Sequence, residues 1–222
     1  MKINVKNLSL KFSDKFIFND INAEFNPATI NLIKGKNGAG KTCFLQCLCG
    51  VIPRHFGGEV EGGWEIESGK WKVESSAGDG NLNSQFSILN SKFGFLMQEP
   101  DKQLCFPFIE EELFFGAENL NRNKDDFFKD YNELIQIFPI LDRVDIETSA
   151  LSFGEKKVLL FCSQILKDPE IFLLDEPLAG LSEHYRSKFI ELIQKLKSKN
   201  KIIIIAEHTD ILDSLADQII RF

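Results

Sequence analysis

Between residue 1 and about residue 34, short apolar runs (INV, LSL, FIF, INAEF, TINLI) alternate with polar positions and are broken by Asn, Asp and Pro27. This pattern predicts short strands joined by turns. ATINLIKG then enters a glycine-rich turn and passes into KTCFLQCLCG, which gives a strand, a loop and a helix in succession. From 53 to about 90 the pattern fades into Gly, Ser and Asn (GGEVEGG, SSAGDGNLNS) around Trp64 and Trp71, so exposed hairpins and a mobile loop at 75 to 85 are expected. A buried strand, KFGFLM, follows at 92 to 97, and helical composition continues to about 147. Ser152 opens a helix: Ser-x-x-Glu, ending at Glu155, is a reciprocal capping pattern, the apolar run VLLFCSQIL follows, and Pro169 lies beyond the end. IFLLD (171–175) and KIIIIAEH (201–208) are continuous apolar runs of strand length flanking the amphipathic SKFIELIQKL. Such strands are buried on both faces, as in a parallel sheet covered by helices, so the fold class is α/β.

The chain has 222 residues, 43% of them hydrophobic, and its 26 Lys+Arg against 33 Asp+Glu leave a formal charge of -7. One globular domain accounts for that length. The acidic balance speaks against a general nucleic-acid binder, because affinity for a phosphate backbone comes from clustered Lys and Arg. Any anion must therefore be gripped locally. The longest aliphatic stretch, Ile202 to Ala206, falls far short of the ~20 residues a membrane span requires. The start, MKINVKNLSLKF, has no apolar secretory core, so secretion is not expected. The five cysteines (43, 47, 49, 105 and 162) lack zinc-like spacing, which fits reduced thiols in the cytosol. Cys43 and Cys47 share a helical face, where two thiols could bind metal, but free cysteines commonly serve as small buried hydrophobes.

Gly35-Lys36-Asn37-Gly38-Ala39-Gly40-Lys41-Thr42 fits the phosphate-loop pattern G-x-x-x-x-G-K-[ST] between a buried strand and a helix. Glycines let main-chain N–H groups converge on one anion, and the helix N-terminus adds positive potential. Lys41 places a charge between the β- and γ-phosphates, and the Thr42 hydroxyl can ligate Mg²⁺. Asp175 and Glu176 end the run IFLLD, where a carboxylate faces the ligand crevice of an open α/β sheet. Asp175 would hold Mg²⁺, an ion that prefers oxygen ligands. Side chains alternate along an extended segment, so Glu176 is better placed to orient or deprotonate a water attacking the γ-phosphate. His208 ends KIIIIAEH and Gln98 follows KFGFLM in the same manner. By position alone His208 fits a satisfied structural histidine and Gln98 a turn residue. Beside the loop and the acidic pair, His208 favours a bond to the γ-phosphate or the water, and Gln98 offers an amide to both Mg²⁺ and water.

In this order the residues resemble the ATP-binding cassette family: GKNGAGKT as Walker A, Gln98 in FLMQEP as the Q-loop, LSFGE (151–155) as the signature, IFLLDEP as Walker B, AGLS (179–182) as the D-loop and His208 as the switch histidine. The resemblance covers essentially the whole chain. It implies a P-loop NTPase cassette with a RecA-like core sheet, an N-terminal antiparallel β subdomain (about 1–25 and 55–90) and a helical subdomain (about 100–150). It implies Mg²⁺-dependent ATP hydrolysis, with ATP held by Gly35, Asn37, Gly38, Ala39, Gly40, Lys41, Thr42 and Cys43, and Mg²⁺ by Thr42, Gln98 and Asp175. In that family two cassettes pack head to tail, so Ser152 and Gly154 would reach the partner's ATP. Phe12 matches the aromatic that stacks on adenine, although core packing explains it nearly as well.

IPRHFGGEVEG (52–62) and QEPDKQLCFPFIEEELFFGAENL (98–120) are similar to the ATPase subunits of energy-coupling-factor importers, which take up vitamins and metal ions such as cobalt or nickel. That similarity implies a place at the cytoplasmic face of the membrane. It also implies a groove around 98–115, carrying Gln103, Phe106, Phe108 and some of Glu110 to Glu112, that receives coupling helices of a membrane protein. The three glutamates cannot all face one partner, since successive helical residues turn by about 100°. Phe153 stands where the family usually has Gly, Glu155 where Gln is common, and Ser182 where Asp is usual. These departures bear on the site completed for the partner, which leaves open both a homodimer and an asymmetric pair with a different ATPase. The chain stops soon after His208, as a truncated, fused-pair or minimal form would. A scaffold that closes on ATP with little turnover is the competing reading; Glu176 and His208 together speak for hydrolysis.

Overall fold

The computed structural model describes residues 1–66, 71–72 and 92–222, and the loop expected at 75 to 85 lies outside them. Two sheets organise the chain. Strands β1 (Ile3–Phe12), β2 (Lys15–Phe25), β4 (Glu59–Ile66) and β5 (Trp71–Lys72) form an antiparallel sheet in the order β2-β1-β4-β5. Strands β3 (Thr29–Lys34), β6 (Phe93–Leu96), β7 (Ile171–Asp175), β8 (Ile202–Glu207) and β9 (Gln218–Arg221) form a parallel sheet in the order β6-β7-β8-β3-β9.

The central strands β7 and β8 are buried on both faces because alternate residues serve different cores, while the edge strand β9 stays partly exposed. Phe172, Leu174, Ile203 and Ile205 pack into the helical layer, while Ile171, Leu173, Ile202 and Ile204 pack toward the antiparallel sheet and the helix α1 (Lys41–Leu48). The helical layer holds α2 (Ile109–Asn119), α3 (Lys124–Ile137), α4 (Phe153–Leu166) and α5 (Glu183–Ser198). Asn123 caps α3, Ser182 caps α5, and Ser152 with Glu155 forms the reciprocal box at the head of α4. Each fully buried Leu, Ile or Phe in these layers contributes roughly 1.5–3 kcal/mol. The layers are pinned by Trp64, whose ring meets Phe93 edge-on and whose Nε1 donates to the Cys47 carbonyl of α1 at 3.2 Å.

One local expectation is corrected. INV and LSL are a single strand, and so are FIF and INAEF. Register shifts near Lys6–Ser9 let the polar residues stay within strands that bend instead of ending.

Candidate active site

β3 runs directly into the glycine loop, and α1 begins at Lys41. Gly40 caps that helix at φ 96, and a Cβ there would come within 2.8 Å of Ile17 Cγ2. The loop therefore needs glycine both for its turn and for the close approach of β2. Lys41 is buried, and its ammonium donates to the main-chain oxygens of Gly35 at 2.9 Å and Lys36 at 3.2 Å. The loop's own carbonyls hold the charge in place.

Asp175 ends β7 against this loop and accepts a hydrogen bond from Thr42 Oγ1 on Oδ2 at 2.7 Å. It is 2% exposed, and burial pushes its carboxyl up, with Glu176 adding to the rise and the Thr42 bond, Lys41 and Lys157 opposing it. A half-buried hydroxyl and a buried carboxylate meeting at the loop, with a charge that is costly to desolvate, are the oxygen donors a hard divalent cation needs, so these residues fit Mg²⁺.

The next residue, Glu176, has a positive φ of 45. Its Oε2 accepts from Gln98 Nε2 at 2.8 Å, and its Oε1 lies 3.2 Å from His208 Nδ1. Gln98, Glu176 and His208 thus come together from the carboxyl ends of β6, β7 and β8, as the strand-end rule anticipates. An open cleft of about 620 Å³ beside them is bordered by Gly35, Lys36, Asn37, His208 and Arg221. Ser152 and Gly154 belong to a different neighbourhood: Ser152 is exposed at the head of α4, and Gly154 abuts Gly180 and Leu181 of the turn after Walker B. Phe12 is the last residue of β1, half-buried, with its ring against Gly58. Cys43 is half-buried on α1, and burial raises its thiol pKa.

The family model described as ABC transporter matches residues 18–179. A protein of Pyrococcus abyssi, named as an ABC transporter ATP-binding protein, is 30% identical over 99% of this chain and 76% of its own length. The chain belongs to the ABC transporter family. The energy-coupling factor transporter ATP-binding protein EcfA1 of Thermotoga maritima is 27% identical over 94% of this chain and 73% of its own length. Among solved structures, cbiO1 from Clostridium perfringens, described as part of the ABC transporter complex cbiONQ, superposes with a TM-score of 0.78 at 25% identity, covering 99% of this chain and 83% of that one. The ATP-binding subunit of an ABC transporter aligns with a TM-score of 0.85 over 100% of this chain and 86% of that one, at 18% identity, a likeness of fold. The chain is accordingly an ATP-binding subunit of an ABC transporter, and its reaction is ATP hydrolysis.

Within this ABC cassette two residues stand at the site that the sequence did not single out. Glu207, buried at the end of β8, accepts from the main-chain N–H groups of His208 at 2.8 Å and Thr209 at 3.1 Å, which fixes the histidine loop. Its signal was a carboxylate closing an aliphatic run. Lys157 is fully buried on α4; burial lowers its ammonium to about 8, while Glu176, Asp175 and Glu207 act to hold it up.

The segment after Gln98 divides into residues spent internally and residues left free. Gln103 uses its amide to donate to Phe95 O at 2.6 Å and to accept from Met97 N at 2.8 Å, so it latches the end of β6. Glu112 folds back onto the main-chain N–H groups of Cys105 and Phe106. Glu110, Glu111, Phe108 and Phe115 are exposed, and the Phe106 ring packs tilted against Phe115 with centroids 4.6 Å apart. No helix among the described residues is long and apolar enough to cross a membrane.

Proposed function

We propose that this chain is the ATPase subunit of an energy-coupling-factor-type importer of a vitamin or metal ion. It works at the cytoplasmic face of the membrane as one half of a pair with a second ABC ATPase, preferably a different chain. The observation that carries the catalytic part is the junction of Gln98, Glu176 and His208 across from a loop that already holds Lys41. The likeness to EcfA1 and to cbiO1 supports the importer class.

In this reading the loop from Gly35 to Thr42, with Cys43, wraps the phosphates, Lys41 lies between the β- and γ-phosphates, and Phe12 stacks on adenine. Thr42, Asp175 and the Gln98 amide oxygen would hold Mg²⁺. When bound, that ion neutralises charge on the β- and γ-phosphoryl oxygens. Glu176 orients a water and takes its proton as the water oxygen bonds to the γ-phosphorus and the bridge to the β-phosphate breaks, leaving ADP and phosphate. His208, hydrogen-bonded to Glu176, positions that water or the γ-phosphate, and Glu207 keeps His208 in place. Ser152 and Gly154 meet the partner's ATP, where the α4 N-terminus faces its γ-phosphate. The exposed faces of Phe106, Phe108, Phe115, Glu110 and Glu111 receive a basic coupling helix.

Nucleotide binding and turnover test the chemistry. Lys41→Ala loses ATP affinity by tenfold or more, and wild-type-like binding would sink the phosphate cradle. Glu176→Gln keeps ATP, accumulates a closed dimer and loses at least a hundredfold in turnover; unchanged hydrolysis removes Glu176 from its role. Co-purification from detergent-solubilised membranes tests the importer: integral membrane partners support it, and exclusively soluble partners overturn it in favour of a scaffold.

A further inference from the structure

A lysine with no exposed surface is costly, because its ammonium gives up water and must find replacement acceptors. Lys157 finds two, and both lie in the turn that carries the proposed catalytic carboxylate. Its Nζ donates to Glu176 O at 2.6 Å and to Ala179 O at 3.0 Å. Glu176 N in turn donates to Ala206 O on β8 at 3.0 Å. The Glu176 residue, whose φ of 45 is unfavourable for a side chain with a Cβ, is therefore pinned on both of its peptide groups. Between those two anchors its carboxylate is aimed at Gln98 and His208.

The ammonium has a third neighbour. The Phe153 ring lies with its centroid 5.4 Å from Lys157 Nζ, within range of a cation–π contact. Phe153 also closes on Gly180, where a Cβ would stand 2.5 Å from the ring. Phe153 as a residue is 44% exposed at the first turn of α4. One contiguous path of packed and hydrogen-bonded groups thus runs from an exposed signature residue, through a buried charge, to the backbone of Glu176.

We propose that Lys157 is a positioning residue that holds Glu176 in its turned backbone geometry and, through Phe153, couples the signature surface of this subunit to its own hydrolytic carboxylate. A contact made at Phe153 would change how firmly the ammonium is held, and so how firmly Glu176 is aimed. The proposal rests on the catalytic role assigned to Glu176.

The test is a set of variants of the full chain, with ATP affinity and KM, kcat and Tm measured for each. Lys157→Met keeps the length and removes the donors. It should lower kcat by roughly ten- to a hundredfold while KM for ATP stays within about twofold. Lys157→Gln, which keeps an uncharged donor, should recover part of that loss, and it carries the test should the Met variant fail to fold. In the Glu176→Gln background Lys157→Met should change residual turnover by less than about twofold, since no carboxylate remains to be aimed. Phe153→Leu should lower kcat severalfold, an effect that disappears once Lys157 is Met. A normal kcat in Lys157→Met, a loss confined to Tm or KM, or full additivity of the double variants overturns the proposal. Full turnover in Glu176→Gln alone marks a failure of the catalytic assignment itself, whatever Lys157 does.

Discussion

The central strands of the parallel sheet, β7 and β8, bury both faces, and the sheet delivers Asp175, Glu176, His208 and the glycine loop from its carboxyl ends, whereas the antiparallel strands bury one face and carry their polar groups within the ladder. In β1 and β2 the register slips near Asn7 and Asp20, both at positive φ. Side chains mend the gap: Asn7 N donates to Asn22 Oδ1 at 2.9 Å, Asp20 N to Ser9 Oγ at 2.8 Å, and Asn7 Nδ2 to Asp20 Oδ1 at 2.7 Å. The regular sheet supplies fixed strand ends for chemistry. The irregular one supplies curvature, which brings Ile17 against Gly40 and Trp64 against α1. Residues in the first should govern turnover and those in the second stability.

The sharpest break of this division comes from Asp175→Asn. Turnover should fall on the order of a hundredfold in a steady-state ATPase assay, because the ligand charge is lost. Stability should move the other way. Burial raises the Asp175 pKa in the folded protein above its ordinary 3.8. The folded state then binds more protons than the unfolded one between 3.8 and the raised value, and stability falls as pH climbs through that window. Near neutral pH the buried charge is a net cost that Asn removes, so the nucleotide-free variant should show a higher Tm, and an unchanged or lower Tm contradicts the argument.

Gly62→Ala probes the other sheet. Gly62 has a φ of 74, and a Cβ there would lie 2.2 Å from Asn7 O. Unfolding in urea should show a loss of about 2 kcal/mol or more, with kcat per folded molecule preserved. A kcat loss in the still-folded protein would join the two sheets functionally. Ser9→Ala is the mildest probe, expected to cost about 1 kcal/mol through the unpaired Asp20 N–H, again without effect on kcat.

The same contrast governs what could be read from the residues. IFLLD and KIIIIA declare themselves as doubly buried strands because nothing polar interrupts them, and a carboxylate or histidine at such an end is already in the crevice. The box at Ser152 and Glu155 was legible for a local reason, since its partners are three residues apart. β1 and β2 read as fragments because Asn, Lys and Asp interrupt them, and the hydrogen bonds that keep these residues in strand come from across the sheet. Gln103 looked available to a partner because its latch on β6 depends on a turn that only the folded chain makes. Lys157 follows another lysine ahead of an apolar run, a spacing that suggests a solvated helix start. Its burial depends on a turn some twenty residues later in the chain.

Trp64 projects from β4 onto Phe93 of the parallel sheet and the carbonyl of Cys47. An indole in that place is a native fluorophore at the seam between the two layers. Its emission should shift to the red if the layers part, with Trp71→Phe removing the chain's other indole signal. Any rocking of the antiparallel sheet during the ATP cycle can therefore be followed in unlabelled protein.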